Sequence, residues 1–323
     1  MRNIDLIKKP ADLITTHEQT RSGFIAAALE KNRKADKYIL KAKHIREDAK
    51  KAETPDELLQ IDSIQGGLLT AAGLSEKALK YFTEEDKRKA VEELIENFLK
   101  PAGKDFIDEL VYRFLLTCGD TIGGEMRNYV GKVAQLKLVR SLLSVIGSSQ
   151  LEYAILYSSK SSRKKWKQVS YEEAYDTAEK IVAIKWKKAG LEKVLFLNKK
   201  VPLVENKNID LCLYRYEKDG SLDNSLVNNH PEMAIMFGEL KGGIDPAGAD
   251  EHWKTGNTAL ERVRKAFMKK KLPIQTSFVA AAIEESMANE IFNQLQDGTL
   301  SYAINLTYDN QLTAYCNWII NLK

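Results

Sequence analysis

The segment Gly238-Glu-Leu-Lys241 sets a carboxylate and an ammonium two positions apart, and Asp210 lies upstream in another stretch of strand-like alternation. Side chains two apart on a strand share one sheet face and stand about 7 Å from each other. If the two strands pair, Asp210 converges with Glu239 and Lys241. Two carboxylates brought together form an oxygen-rich site for a hard divalent cation such as Mg2+, which keeps several of its waters and meets a phosphate oxygen. Such a metal lowers the pKa of an attacking water and neutralises the leaving oxygen, while a neighbouring lysine stabilises charge at phosphorus. The chemistry expected is in-line attack of water on a phosphodiester. The competing reading is a surface strand that ends in alternating charges, since an isolated E-x-K is a common tripeptide.

The elements that must position these residues follow from the hydrophobic period. Ile209–Tyr216 alternates, placing Ile209, Leu211 and Leu213 on one face and Asp210, Cys212 and Tyr214 on the other. Met233–Lys241 reads as a strand with Phe237, Glu239 and Lys241 on one face, and Val194–Leu197 and Val201–Val204 as short strand-like runs. Asp219-Gly220 and Ser221–His230 read as loop; Glu251–Lys271 has helix length, Thr276–Ile283 reads as an apolar strand and Glu284–Gln296 as a helix. A meander, a crossover helix and a further strand predict a mixed sheet with a right-handed crossover.

The chain before about residue 145 reads as helices. Thr54-Pro55 opens one of them, and Thr83-Glu-Glu-Asp86 forms a capping box before Ala90, Val91, Leu94, Ile95, Phe98 and Leu99. Pro101 stops that helix, and Gly119-Asp-Thr-Ile-Gly-Gly124 is expected to interrupt the next. The fold class expected is α+β. An all-helical domain over residues 1–125 precedes a mixed-sheet catalytic core over 126–323, and the first ~25 residues could pack on that core.

Composition limits the remaining possibilities. A chain of 323 residues suits one or two domains, and its 44% apolar content supports a sizeable core. There is no apolar run of the ~18–20 residues that a membrane span needs, and no secretory signal precedes Pro10. Cys118, Cys212 and Cys316 lie far apart without a CxxC pair, which argues against a disulfide framework or a zinc site. A soluble cytoplasmic protein is expected. A P-loop hydrolase is not, because no GxxxxGK(S/T) occurs. The net charge is only +4, yet Lys160, Arg163, Lys164, Lys165 and Lys167 cluster, as do Arg262, Arg264, Lys265, Lys269, Lys270 and Lys271. Such clusters suit phosphate contacts or simply solvated faces.

The run Gly238-Glu-Leu-Lys-Gly-Gly-Ile-Asp-Pro-Ala-Gly-Ala-Asp-Glu-His-Trp-Lys-Thr255 resembles the catalytic segment of the AvaI/BsoBI family of type II restriction endonucleases. Ile95-Glu-Asn-Phe-Leu99, Phe106-Ile-Asp-Glu-Leu110, Gly123-Gly-Glu-Met-Arg-Asn128 and Trp318-Ile-Ile-Asn321 extend the likeness over most of the chain. The resemblance implies a PD-(D/E)xK core and Mg2+-dependent cleavage of duplex DNA at the palindrome CYCGRG, after the first base, leaving 5′ overhangs. It also implies a homodimer that encircles the DNA with its helical domains, and a cognate methyltransferase acting on the same site.

Asp210, Glu239 and Lys241 match the family's catalytic positions, the two carboxylates being the metal ligands. His252 matches a histidine proposed as general base or water-positioner. Asp245, Lys207 and Lys80 match base-contacting residues, and aspartate and lysine suit the cytosine N4 and guanine O6/N7 of a CG-rich site. The motif's leading proline is replaced by Ile209.

Each residue has an ordinary alternative. A histidine near a helix start is commonly a surface residue, and an aspartate before proline is commonly a turn residue. His17, His44 and His230 are expected to be exposed, and Trp166, Trp186, Trp253 and Trp318 to be packing residues. Two other functions fit the same patterns: a PD-(D/E)xK nuclease of repair or recombination with different specificity, and a non-catalytic DNA-binding module.

Overall fold

A computed structural model describes residues 6–158, 166–216 and 229–323. The helices are α1 (His17–Ala49), α2 (Gln65–Ala71), α3 (Glu84–Leu94), α4 (Phe106–Ser148), α5 (Tyr171–Asp176), α6 (Pro246–Lys269), α7 (Glu285–Gln296) and α8 (Asp309–Asn321). The strands are β1 (Tyr153–Tyr157), β2 (Ile181–Lys188), β3 (Leu191–Val201), β4 (Lys207–Tyr216), β5 (Ala234–Lys241), β6 (Gln275–Ala280) and β7 (Tyr302–Asn305). No helix among the described residues is long and apolar enough to cross a membrane. The chain forms two compact units, Ile25–Tyr129 and the residues up to Phe24 together with Val130–Lys323, so the divisions fall inside α1 and α4.

The helical unit buries Ile45, Leu58, Leu68, Leu94, Leu110 and Phe114 in one cluster. Thr83 caps α3 reciprocally: its hydroxyl accepts from the Asp86 amide, and the Asp86 carboxylate accepts from the Thr83 amide. The interruption expected at Gly119–Gly124 does not occur, and α4 runs through it unbroken. Glycine in a helix costs about 1 kcal/mol, and burial of Phe114 and Cys118 before the glycines and of Leu138 and Leu142 after them outweighs it.

The sheet unit is an α+β sandwich. Among the described residues its seven strands lie in sequence order, antiparallel from β1 to β5 and parallel from β5 to β7. The change of direction at β5 requires a crossover, which α6 supplies. One sheet face buries Leu211, Leu213 and Met236 with Leu138 and Leu142 of α4 and Ile319 of α8. The other buries Cys212, Tyr214 and Phe237 against Val263 and Phe267 of α6, and Phe278 against Trp253. Ile209 departs from the expected alternation. At the closed end of the β3–β4 hairpin it groups with Val201, Val204 and Cys212.

The residues before α1 belong to this unit. Ile7 and Leu13 enter the cluster around Trp253. The Thr15 hydroxyl donates to the Ala281 carbonyl and accepts from the Ile283 amide, and the Asn305 side chain donates to the Leu13 carbonyl. The start of α1 is thereby tied to the ends of β6 and β7.

Candidate active site

β4 and β5 pair antiparallel with Leu211 opposite Gly238. Beyond that pair the ladder gives way to a side chain: the Leu240 amide donates to Asp210 Oδ2 at 2.9 Å. This bond fixes the Asp210 carboxylate over the end of β5. Lys241 Nζ lies 2.7 Å from Glu239 Oε2 and 3.6 Å from Asp210 Oδ2. The three side chains read from the alternation therefore converge on one face. The alternative of a solvated surface strand fails, because β5 is interior to the sheet and Glu239 is 4% exposed.

Burial, reinforced by the nearby Asp210 carboxylate, pushes the Glu239 carboxyl up to about 7 despite the adjacent Lys241. For Lys241 burial acts against the ammonium, but the attraction of Glu239 and Asp210 exceeds it and the pKa is raised. Negative charge is thus crowded at this point beyond what one lysine balances.

Glycines shape the surroundings. A Cβ on Gly256 of α6 would lie 2.7 Å from the Phe278 ring and 3.5 Å from Lys241 Cε, so the helix passes directly over the lysine stem. On the opposite face, a Cβ on Gly238 would meet the Ser277 hydroxyl at 2.4 Å, where Ser277 bonds the Tyr315 hydroxyl at 2.7 Å. His252 lies one turn before Gly256 on the same side of α6, and its Nε2 faces the Gly243 backbone, 2.8 Å from where a Cβ would stand. Among the described residues its ring nitrogens have no hydrogen-bond partner, which leaves them free for a water or a phosphate.

A family profile described as "Restriction endonuclease BsobI" matches residues 4–322. The chain is 46% identical over 316 residues to the type II restriction enzyme BsoBI of Geobacillus stearothermophilus, covering 98% of this chain and 97% of that protein. It is 44% identical over 316 residues to the type II restriction enzyme AvaI of a Nostoc species, covering 98% of each. The AvaI enzyme of Anabaena variabilis gives the same identity and coverage. This chain belongs to the BsoBI restriction endonuclease family.

The remaining residues matched to the family are dispersed. Asp245 is the N-cap of α6, its Oδ1 accepting from the Ala247 amide at 3.0 Å. One carboxylate oxygen is thus engaged, but the side chain stays on an exposed residue. Lys207 is exposed at the first position of β4. Lys80 is exposed at the end of a 3-10 turn in the helical unit. Of the basic clusters, Lys160, Arg163, Lys164 and Lys165 lie outside the described residues, as do Asp219 and Gly220. Trp186 and Trp253 are buried packing residues, and Trp318 stacks on Tyr315.

The donor chemistry fits a divalent cation. Two oxygen-bearing side chains meet with excess negative charge, and no group of three or more His, Cys, Asp or Glu ligands occurs among the described residues. A hard cation held by two carboxylates completes its shell with water and substrate oxygens. Sequence reasoning missed the role of Gly256. An isolated glycine inside a helical segment was its only signal, and nothing in the sequence says that a lysine stem from another element lies beneath it.

Proposed function

We propose that this protein is a type II restriction endonuclease of the cytoplasm that hydrolyses duplex DNA at CYCGRG after the first cytosine, leaving 5′ overhangs. The observation that carries the catalytic reading is the convergence of Asp210, Glu239 and Lys241 at the paired ends of β4 and β5. Asp210 and Glu239 would hold Mg2+. When bound, the cation supplies Lewis-acid stabilisation of charge developing on the phosphate.

Lys241, 2.7 Å from Glu239 Oε2 and 3.6 Å from Asp210 Oδ2, would direct its ammonium at the scissile phosphate and stabilise the charge that builds there. His252, on the wall facing the Gly242–Gly243 turn, accepts a proton from the attacking water. Asp245 and Lys207 contact bases from the loop after β5 and the start of β4. Lys80 adds a contact from the helical unit, Ile25–Tyr129, which embraces the duplex. Two copies act together, since a palindrome with two scissile bonds matches a two-fold protein axis. The cognate methyltransferase protects the same sequence without binding this chain.

The test is a digest of defined duplexes with and without CYCGRG, in the presence and absence of Mg2+, with the ends sequenced. Metal-dependent cuts confined to CYCGRG support the proposal. Cuts at another sequence would make the protein a nuclease of different specificity, and binding without turnover would reduce it to a DNA-binding module.

A further inference from the structure

Away from the carboxylates, the outer side of α6 and the turn between β3 and β4 enclose a groove of about 420 Å³. Leu203, Val204 and Glu205 form one wall; the other carries Arg262, Lys265, Lys269 and Lys270. Positions 258, 262, 265 and 269 follow helical spacing, so they form one stripe while Leu260, Val263 and Phe267 face the sheet. Lys265 is paired with Glu261 at 2.5 Å. No ion pair engages Arg262, Lys269 or Lys270 among the described residues.

Lysines at a helix C-terminus have an ordinary explanation in the helix dipole, but that field fades within the last turn. Arg262 stands two turns before the end, about 10 Å away, and its cation is not accounted for in this way. The groove's other wall ends in Glu205, and Glu205 and Asn206, both with positive φ, turn the chain into Lys207. Lys207, proposed above as a base contact, therefore follows the groove wall by two residues in sequence. The stripe from Thr258 to Lys269 spans about 16 Å, enough for several phosphates of one strand at about 3.4 Å of axis each.

We infer that this groove binds the sugar-phosphate backbone of duplex DNA flanking the recognition sequence. The inference rests on the endonuclease reading for its ligand, and it adds a site that contributes affinity without reading bases. Glu205 on the opposite wall limits the attraction.

Equilibrium binding without divalent metal tests this independently of cleavage. Two duplexes are compared, one with a full helical turn of flank on each side of a CYCGRG site and one trimmed close to it. Each neutralised phosphate contributes about 0.9 to the slope of log K against log salt. Replacing Arg262→Gln, Lys269→Gln and Lys270→Gln together should lower the slope on the long duplex by about 2–3 and leave the trimmed duplex unaffected. Glu205→Gln should act in the opposite direction and tighten the long duplex alone. An unchanged slope on the long duplex, or an equal loss on both, would overturn the inference. A wild-type protein that binds both duplexes with the same salt dependence would also overturn it. Failure of the endonuclease reading would show instead as absence of cleavage, whatever the slopes.

Discussion

In the helical unit Arg88 pairs with Glu92 and Lys50 with Glu47 across one turn, on side chains 45–67% exposed. In the sheet unit Lys241 pairs with Glu239 beside Asp210, where the Glu239 side chain keeps 6% of its exposure. Exposed pairs of the first kind lose little solvation and gain little, with water and salt screening both partners. The second kind gives up hydration that the single lysine does not replace, and the raised pKa of Glu239 reports that cost. The teaching of the comparison is that a count of charges says nothing about function. A cluster retained against its own desolvation does, because something else must compensate it when the protein works.

The comparison breaks first if the buried carboxylate is dispensable. Glu239→Gln keeps the size of the side chain and removes its charge. Single-turnover cleavage in Mg2+ should fall on the order of 10³-fold, the scale of losing a preorganised electrostatic contact, with DNA binding retained. Near wild-type cleavage by this variant would mean that the proposed centre is wrong.

The next largest effect belongs to His252, whose ring nitrogens have no hydrogen-bond partner among the described residues. His252→Ala should slow single-turnover cleavage by about 10²-fold or more, the range of general-base help, at unchanged DNA affinity. Unaltered chemistry would leave His252 a packing residue against Gly243.

A third test concerns pH and uses the protein free of metal. The Glu239 carboxyl is raised from its ordinary 4.5 to about 7. Between those values the native protein holds a proton that the unfolded chain has released. Stability must therefore fall as pH rises through this window, by up to about 1.4 kcal/mol per pH unit for one proton. Denaturant unfolding of wild type and Glu239→Gln from pH 4.5 to 7.5 measures it. The variant should lack this contribution, and identical profiles would show that Glu239 is not desolvated in solution.

The smallest effect is expected at the surface. Arg88→Gln removes the pair with Glu92 and should move Tm by no more than about 2 °C. A larger drop in a thermal melt would erase the distinction between the two kinds of pair.

Much of the site was legible because strand geometry is periodic. Glu239 and Lys241 two apart, and Asp210 in an alternating segment, were enough to anticipate a shared face. The bond from the Leu240 amide to Asp210 was not legible, since it replaces a backbone ladder bond and depends on where the β4–β5 pairing stops. The alternation also misplaced Ile209, because the closing hairpin gathers it with Val201 and Val204. Gly119–Gly124 looked like a break, since local propensity does not contain the tertiary burial that carries α4 through it.

By itself the sequence determined the class of fold, the strand faces apart from Ile209, the α3 cap and, through its long likeness to one family, the set of residues worth following. Those properties depend on local period, short-range hydrogen bonding or descent, and all three are written along the chain. Tertiary structure alone decided that Glu239 is buried, that α6 lays Gly256 over the Lys241 stem, and that Thr15 and Asn305 tie the chain's beginning to the ends of β6 and β7. Each of these joins residues far apart in sequence through close contact or exclusion of water. Such contacts exist only once separate elements have packed, so no window of sequence can contain them.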